Sequence, residues 1–321
     1  MAHGLQVRDL VVNYHTDDGI VRAVAGASFD VPPGRRLGLV GESGSGKTTT
    51  ALALIQMLRA PGRVDGGTAK IGEVDLLSLS PQEMRKHRLR TVGYIPQGAM
   101  NSLNPVLPVG RQMRNALVDH DVRLSRAEFE QTIARALAGV DLDPRVAGLY
   151  PHELSGGMNQ RVCIATGTLL RPKLIIADEP TSALDVVTQR QVMAHLGRHQ
   201  EESGSALILI GHDMGLMVQF VHDLAVMYAG RLVEIGTVAE VLERPRHPYT
   251  KALIESVPRL RHRGSLRGVP GVTPSLARLP DGCAFHPRCP RAIARCRLER
   301  PALDRSLGEH RAACFRAEEL A

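Results

Sequence analysis

The chain has 321 residues, 43% of them hydrophobic, enough for one large or two modest cores and too many for a disordered polypeptide. No stretch approaches the ~18 uninterrupted apolar residues of a bilayer-spanning helix, the start MAHGLQVRD lacks a basic-then-apolar signal region, and 3% aromatics with no Trp leave little for nucleic-acid stacking, so a soluble cytoplasmic protein is expected. The net charge of +7 is uneven: residues 244–321 hold sixteen Lys and Arg against seven Asp and Glu, and residues 1–243 hold twenty-four against twenty-six.

Residues 5–14 and 20–31 flank an Asp17-Asp18-Gly19 turn signal and predict a β-hairpin or meander. Residues 37–40 read as an apolar strand, followed by glycine-rich 41–46 and a helix over 48–58. Between strand and helix, Gly41-Glu42-Ser43-Gly44-Ser45-Gly46-Lys47-Thr48 fits a phosphate-binding loop: glycines let amides converge on phosphate, Lys47 supplies an ammonium, and the Thr48 hydroxyl can ligate Mg²⁺. Ser80-Pro81-Gln82-Glu83 and Ser125-Arg126-Ala127-Glu128 predict helix starts by capping box. Short apolar runs at 92–95, 174–177, 206–210 and 224–227 are expected as buried strands of a largely parallel sheet, making the first 240 or so residues an α/β layered domain.

Leu154-Ser155-Gly156-Gly157, just before a helix, offers a hydroxyl and amides for a second anion; two such sites in one domain make sense if a γ-phosphate is sandwiched between two chains. The run 174–177 ends in Asp178-Glu179. Two adjacent carboxylates repel, a cost offset if Asp178 holds Mg²⁺ and Glu179 faces an attacking water; alone, a solvated pair before Pro180 is the plainer reading. From Pro258 to Gly282 periodicity gives way to Pro, Gly, Arg and Ser, the mark of a linker or extended arm. Four cysteines follow, Cys283, Cys289, Cys296 and Cys314, whereas Cys163 reads as a small buried hydrophobe.

In this order the motifs resemble the ATP-binding-cassette family over residues 5–257. The resemblance implies an α/β P-loop ATPase with a mixed sheet core, an antiparallel β subdomain and a helical subdomain, here 1–257, with a small cysteine-bearing extension, 258–321. It implies that Gly41, Ser43, Gly44, Ser45, Gly46, Lys47, Thr48 and Thr49 hold ATP, with Tyr14 against the adenine, although ordinary strand packing accounts for a tyrosine there equally well. Thr48, Gln97 of the Q-loop and Asp178 would serve Mg²⁺. Glu179, His212 and Gln97 would be catalytic, and Ser155, Gly156 and Gly157 of the signature and Asp185 of the D-loop would reach the nucleotide of a second cassette. The sequence departs from the commonest cassettes at Met158-Asn159 and at Gly211 before the switch histidine, and neither change removes a catalytic group.

One cassette in one chain, without sustained heptads, excludes chromosome-maintenance arms and tandem translation cassettes and leaves transport. The segments Gly98-Ala99-Met100-Asn101-Ser102-Leu103-Asn104-Pro105-Val106, Ala177-Asp178-Glu179-Pro180-Thr181-Ser182-Ala183-Leu184-Asp185-Val186-Val187, His247-Pro248-Tyr249-Thr250-Lys251-Ala252-Leu253 and Gly282-Cys283-Ala284-Phe285-His286-Pro287-Arg288-Cys289-Pro290 resemble importers of di- and oligopeptides and, in some members, nickel. That subclass implies a heterodimer with a second ATPase subunit, two permeases, an extracytoplasmic binding protein and a peripheral position on the cytoplasmic face of the inner membrane, with no nucleic acid. The alternatives are a nickel or other small-solute importer, and a DNA-associated ATPase using the basic C-terminus. Four thiols in a cytosolic chain point to metal: their wide gaps suit a [4Fe–4S] cluster, which the resemblance also associates with this extension, while zinc and unligated thiols stay open.

Overall fold

The computed structural model of the chain describes residues 4–98, 102–182, 184–256, 268–303 and 308–320. Residues 99–101 after the Q-loop, Ala183 before Asp185, and 258–267 of the expected linker lie outside the described residues. The elements run β1 (Leu5–Thr16), β2 (Gly19–Val31), β3 (Arg36–Val40), α1 (Lys47–Leu54), β4 (Gly62–Ile71), β5 (Val74–Asp75), α2 (Pro81–His87), β6 (Val92–Ile95), α3 (Val109–Asp119), α4 (Arg126–Ala138), α5 (Gly156–Gly167), β7 (Leu174–Asp178) and α6 (Val186–Ser203). They continue as β8 (Ala206–Gly211), α7 (Met214–Phe220), β9 (Asp223–Tyr228), β10 (Arg231–Thr237), α8 (Val238–Glu243), α9 (Pro248–Glu255), α10 (Ala294–Leu298), β11 (Arg311–Ala312) and α11 (Ala317–Leu320). The helix expected over 48–58 is shorter because Gln56 takes a left-handed φ of 50° just past its end.

The chain divides into two compact units, one of residues 4–5, 31–35 and 70–209 and one of 6–30, 36–69 and 210 onward. In the first, strands run in the order β8-β7-β6, and β6 is parallel to β7, with Val92 opposite Leu174 and Ile95 opposite Ala177. Every residue of β7 and β8 is buried, the pattern of strands covered on both faces. Both capping boxes form: the Ser80 and Ser125 hydroxyls accept from the Glu83 and Glu128 amides at 3.3 Å, and those glutamates accept from the serine amides in return.

In the second unit, β2, β1 and β4 are neighbours, and a two-residue link joins β1 to β2 as an antiparallel hairpin. A second set runs β11-β10-β9-β3: β3 is parallel to β9, whereas β9–β10 and β10–β11 are antiparallel. The antiparallel pairs β9–β10 and β10–β11 make the sheet mixed, as the family resemblance implies. The cysteine-bearing end is woven into it, with Glu234 of β10 opposite Ala312 and Ile235 opposite Arg311. Fully buried Glu234 also accepts from the Arg246 and His247 amides at 2.7 and 2.9 Å and meets His310 Nε2 at 2.8 Å, so its charge is compensated inside the core. Burial pushes His247 down to about 3; its neutral Nδ1 accepts from the Tyr249 amide at 3.1 Å and opens α9.

Candidate active site

The loop between β3 and α1 has its shape because only glycine fits its two ends. A Cβ on Gly41 would lie 2.2 Å from the Met227 carbonyl oxygen and one on Gly46 2.4 Å from that of Ala23; the two have φ of 150° and 101°. Gly44 is also left-handed and projects into open space. No side chain caps α1, whose N-cap is Gly46, so the helix's positive end faces the loop without a built-in anion. Lys47 is buried, and its ammonium donates to the Gly41 and Glu42 carbonyls, both at 2.8 Å, and to Ser45 Oγ at 3.3 Å. A lysine held among hard oxygens beside an uncapped helix start suits a phosphate-bearing ligand. Ser45 is buried, Ser43 and Thr48 are exposed, and Thr49 is half-buried. The half-buried Tyr14 ring of β1 packs on Gly62, where a Cβ would sit 3.0 Å from its Cε1.

Loop residue Glu42 has further partners. Its amide donates to Tyr249 Oη at 2.8 Å, and its carboxylate takes both arms of the Arg288 guanidinium at 2.7 and 2.8 Å and the Thr273 hydroxyl at 2.7 Å. Burial pushes the Glu42 carboxyl up, but the Arg288 and Thr273 hydrogen bonds and the charges of Arg288 and Lys47 hold it below its ordinary 4.5.

In the other unit, β7 ends on fully buried Asp178, whose carboxylate accepts from the Tyr94 hydroxyl of β6 at 3.3 Å. Burial, with the Asp178 charge and this bond, raises Tyr94 well above its ordinary range, so it remains a donor. Glu179 follows with φ of 44°, a left-handed conformation that costs a non-glycine residue about 1–3 kcal/mol. Its carboxylate accepts from Gln97 Nε2 at 2.8 Å, so the Q-loop amide and the second acid are brought together. A carboxylate held by a neighbouring amide at the end of a buried strand is a candidate for activating water.

Ser155 is the exposed N-cap of α5 and accepts from the Met158 amide at 3.2 Å. Gly156 begins the helix. Gly157 is fixed by packing, since a Cβ there would lie 2.4 Å from Thr188 Cγ2 of α6. Asp185 caps α6, accepting from the Val187 and Thr188 amides at 3.0 Å and the Thr188 hydroxyl at 2.6 Å. Buried Asn159 anchors the signature by donating to the Pro151 carbonyl at 3.0 Å. His212 is exposed just past β8. The Gly211 before it leaves space that the Met217 methyl fills, 2.6 Å from where a Cβ would stand.

Cys283, Cys289, Cys296 and Cys314 line one pocket with Phe285, His286 and Phe315. Among the described residues, however, no group of three or more His, Cys, Asp or Glu side chains is placed to hold a metal ion, so the geometry does not support the iron–sulfur cluster or the zinc expected there. Burial raises the Cys283 and Cys289 thiols and pushes Cys314 up to about 11, which favours the protonated form that binds metal poorly. Cys163 is buried in α5 and pushed up to about 12, as an inert packing residue should be. Tyr94, Glu42 and Arg288 were not singled out by sequence: Glu42 and Arg288 lie inside quoted segments without a role of their own, and Tyr94 is one residue of the apolar run 92–95.

Two family models match the chain: "ABC transporter" over residues 24–182 and "Oligopeptide/dipeptide transporter, C-terminal region" over residues 233–296. The sequence is 43% identical over 320 residues to the oligopeptide transport ATP-binding protein OppD of Escherichia coli, covering 98% of this chain and 94% of the relative. It is 43% identical to the probable peptide ABC transporter ATP-binding protein y4tR of Sinorhizobium fredii, covering 98% and 96%. Among solved structures it resembles cbiO1 of Clostridium perfringens, part of an ABC transporter complex, at 25% identity and TM-score 0.65, covering 76% and 92%. The dimeric cassette MJ0796 with ADP and Pi shares the fold at 24% identity and TM-score 0.65, covering 73% and 98%. No described helix is long and apolar enough to cross a membrane.

Proposed function

The chain belongs to the ABC transporter family and carries its oligopeptide/dipeptide C-terminal region, and from that membership we propose that it is the ATP-binding and ATP-hydrolysing subunit of an importer of di- and oligopeptides. The observation that carries this reading is the phosphate loop, where neighbouring backbone leaves room only for glycine at 41 and 46 and Lys47 lies buried among oxygen acceptors.

In this reading the loop amides, Ser43, Ser45, Lys47 and Thr49 hold the triphosphate, and Tyr14 meets the adenine. Thr48, Gln97 and Asp178 would hold Mg²⁺, which neutralises charge on the phosphates. Glu179, aimed by Gln97, orients the attacking water and takes its proton, and His212 steadies charge on the γ-phosphate. Ser155, Gly156, Gly157 and Asp185 serve the nucleotide of a second ATPase subunit; the exposure of Ser155 on its helix start supports this. Two permeases, a binding protein and a peripheral position on the cytoplasmic membrane face complete the assembly. A division at 257/258 separates ATPase from extension. A nickel or other small-solute importer is the alternative, and the peptide transport relatives favour peptide.

The finer reading of the extension is that its four thiols take a [4Fe–4S] cluster, with zinc as alternative. Its support is the cysteine spacing and the resemblance alone; ligation requires the side chains to close from the arrangement described. The core reading is tested by Glu179→Gln: ATP binding persists while hydrolysis falls at least about a hundredfold, as expected for loss of a general base. Wild-type turnover in that variant would remove Glu179 from its role.

A further inference from the structure

Arg288 lies between two of the module's cysteines, 246 residues along the chain from Glu42, yet each of its three guanidinium nitrogens has an acceptor. Both arms of its guanidinium grip the Glu42 carboxylate, at 2.7 and 2.8 Å. Its Nε donates to the Pro270 carbonyl at 2.6 Å, and Nη1 also reaches Tyr228 Oη at 3.2 Å. It is 8% exposed, and its stem passes close enough to Gly271 that a Cβ there would stand 3.2 Å from Arg288 Cγ. The rings of Tyr228, Tyr249 and Phe285 pack together, with centroids 4.6 to 5.4 Å apart, and Tyr249 Oη accepts from the Glu42 amide.

Glu42 sits inside the loop, and its carbonyl accepts from the Lys47 ammonium. A carboxylate at that position repels an incoming triphosphate unless a cation neutralises it and holds it in place. Arg288 supplies that cation in a fork geometry a lysine cannot reproduce. We propose that Arg288 is a positioning residue for the phosphate loop, through which the cysteine-bearing segment sets nucleotide affinity by neutralising Glu42 and fixing its backbone. The inference rests on the reading that this loop binds ATP.

The test uses the purified full chain, with a fluorescent ATP analogue for affinity and phosphate release for turnover. Arg288→Gln should raise both the nucleotide Kd and KM about tenfold, as expected for one charge left unpaired beside an anion site, while kcat stays within about threefold. Arg288→Lys should recover part of the loss. Glu42→Gln with Arg288→Gln should bind more tightly than Arg288→Gln alone, because no uncompensated carboxylate is left. Glu42→Gln tests the same pair from the loop side if Arg288→Gln does not fold. An Arg288→Gln affinity within about twofold of wild type, or a double variant no better than Arg288→Gln, would overturn the proposal. A wild-type chain that neither binds nor hydrolyses ATP would instead overturn the reading on which it rests.

Discussion

At the scale of single residues, several positions serve packing and chemistry at once, and variants can separate the two. Gly157 is an amide donor of the signature in the proposed reading, but its missing side chain also lets α5 lie against Thr188 of α6. Gly157→Ala should therefore destabilise the protein without any nucleotide present, by about 1–3 kcal/mol, the usual cost of overpacking. Urea unfolding of the nucleotide-free protein measures this, and an unchanged midpoint would leave Gly157 a purely ligand-facing position. At Glu179 a left-handed backbone carries a carboxylate that accepts from Gln97. Spacing exposed the identity of both residues but not these constraints, which arise from atoms distant in sequence.

At the scale of elements, local chemistry was legible wherever it is self-contained. A capping box needs only four consecutive residues, so the starts of α2 and α4 follow from Ser80–Glu83 and Ser125–Glu128, and both form. Ser125→Ala should lower stability by about 1 kcal/mol, read from the shift in thermal or urea midpoint, because one orphan amide loses its partner. Continuous apolar runs likewise marked β6 to β9, since a strand covered on both faces has no polar side. Their directions were less legible: the antiparallel β9–β10 and β10–β11 pairs depend on how the chain returns.

At the scale of the whole molecule, the described part of the basic C-terminal segment is built into the fold. One of its arginines is committed to Glu42, a strand of it pairs with β10, and its His310 meets buried Glu234. The same scale decides its metal. If the four thiols take a cluster, anaerobically purified protein should be brown, with about four irons per chain, and Cys314→Ser should abolish the colour. Colourless protein with stoichiometric zinc, or with no metal, would overturn the cluster reading. Ligation would also require deprotonating Cys314, whose thiol burial pushes up to about 11.

The sequence by itself determined the phosphate loop, the paired acids, the signature and the positions of the buried strands along the chain, because each is written in neighbouring residues whose chemistry needs no distant partner. Only the tertiary structure decided what constrains them: the carbonyls of Met227 and Ala23 that demand glycine, the Gln97 amide on Glu179, and the Arg288 fork on Glu42. Those contacts join residues far apart along the chain, and no local spacing encodes a distance that only folding brings about.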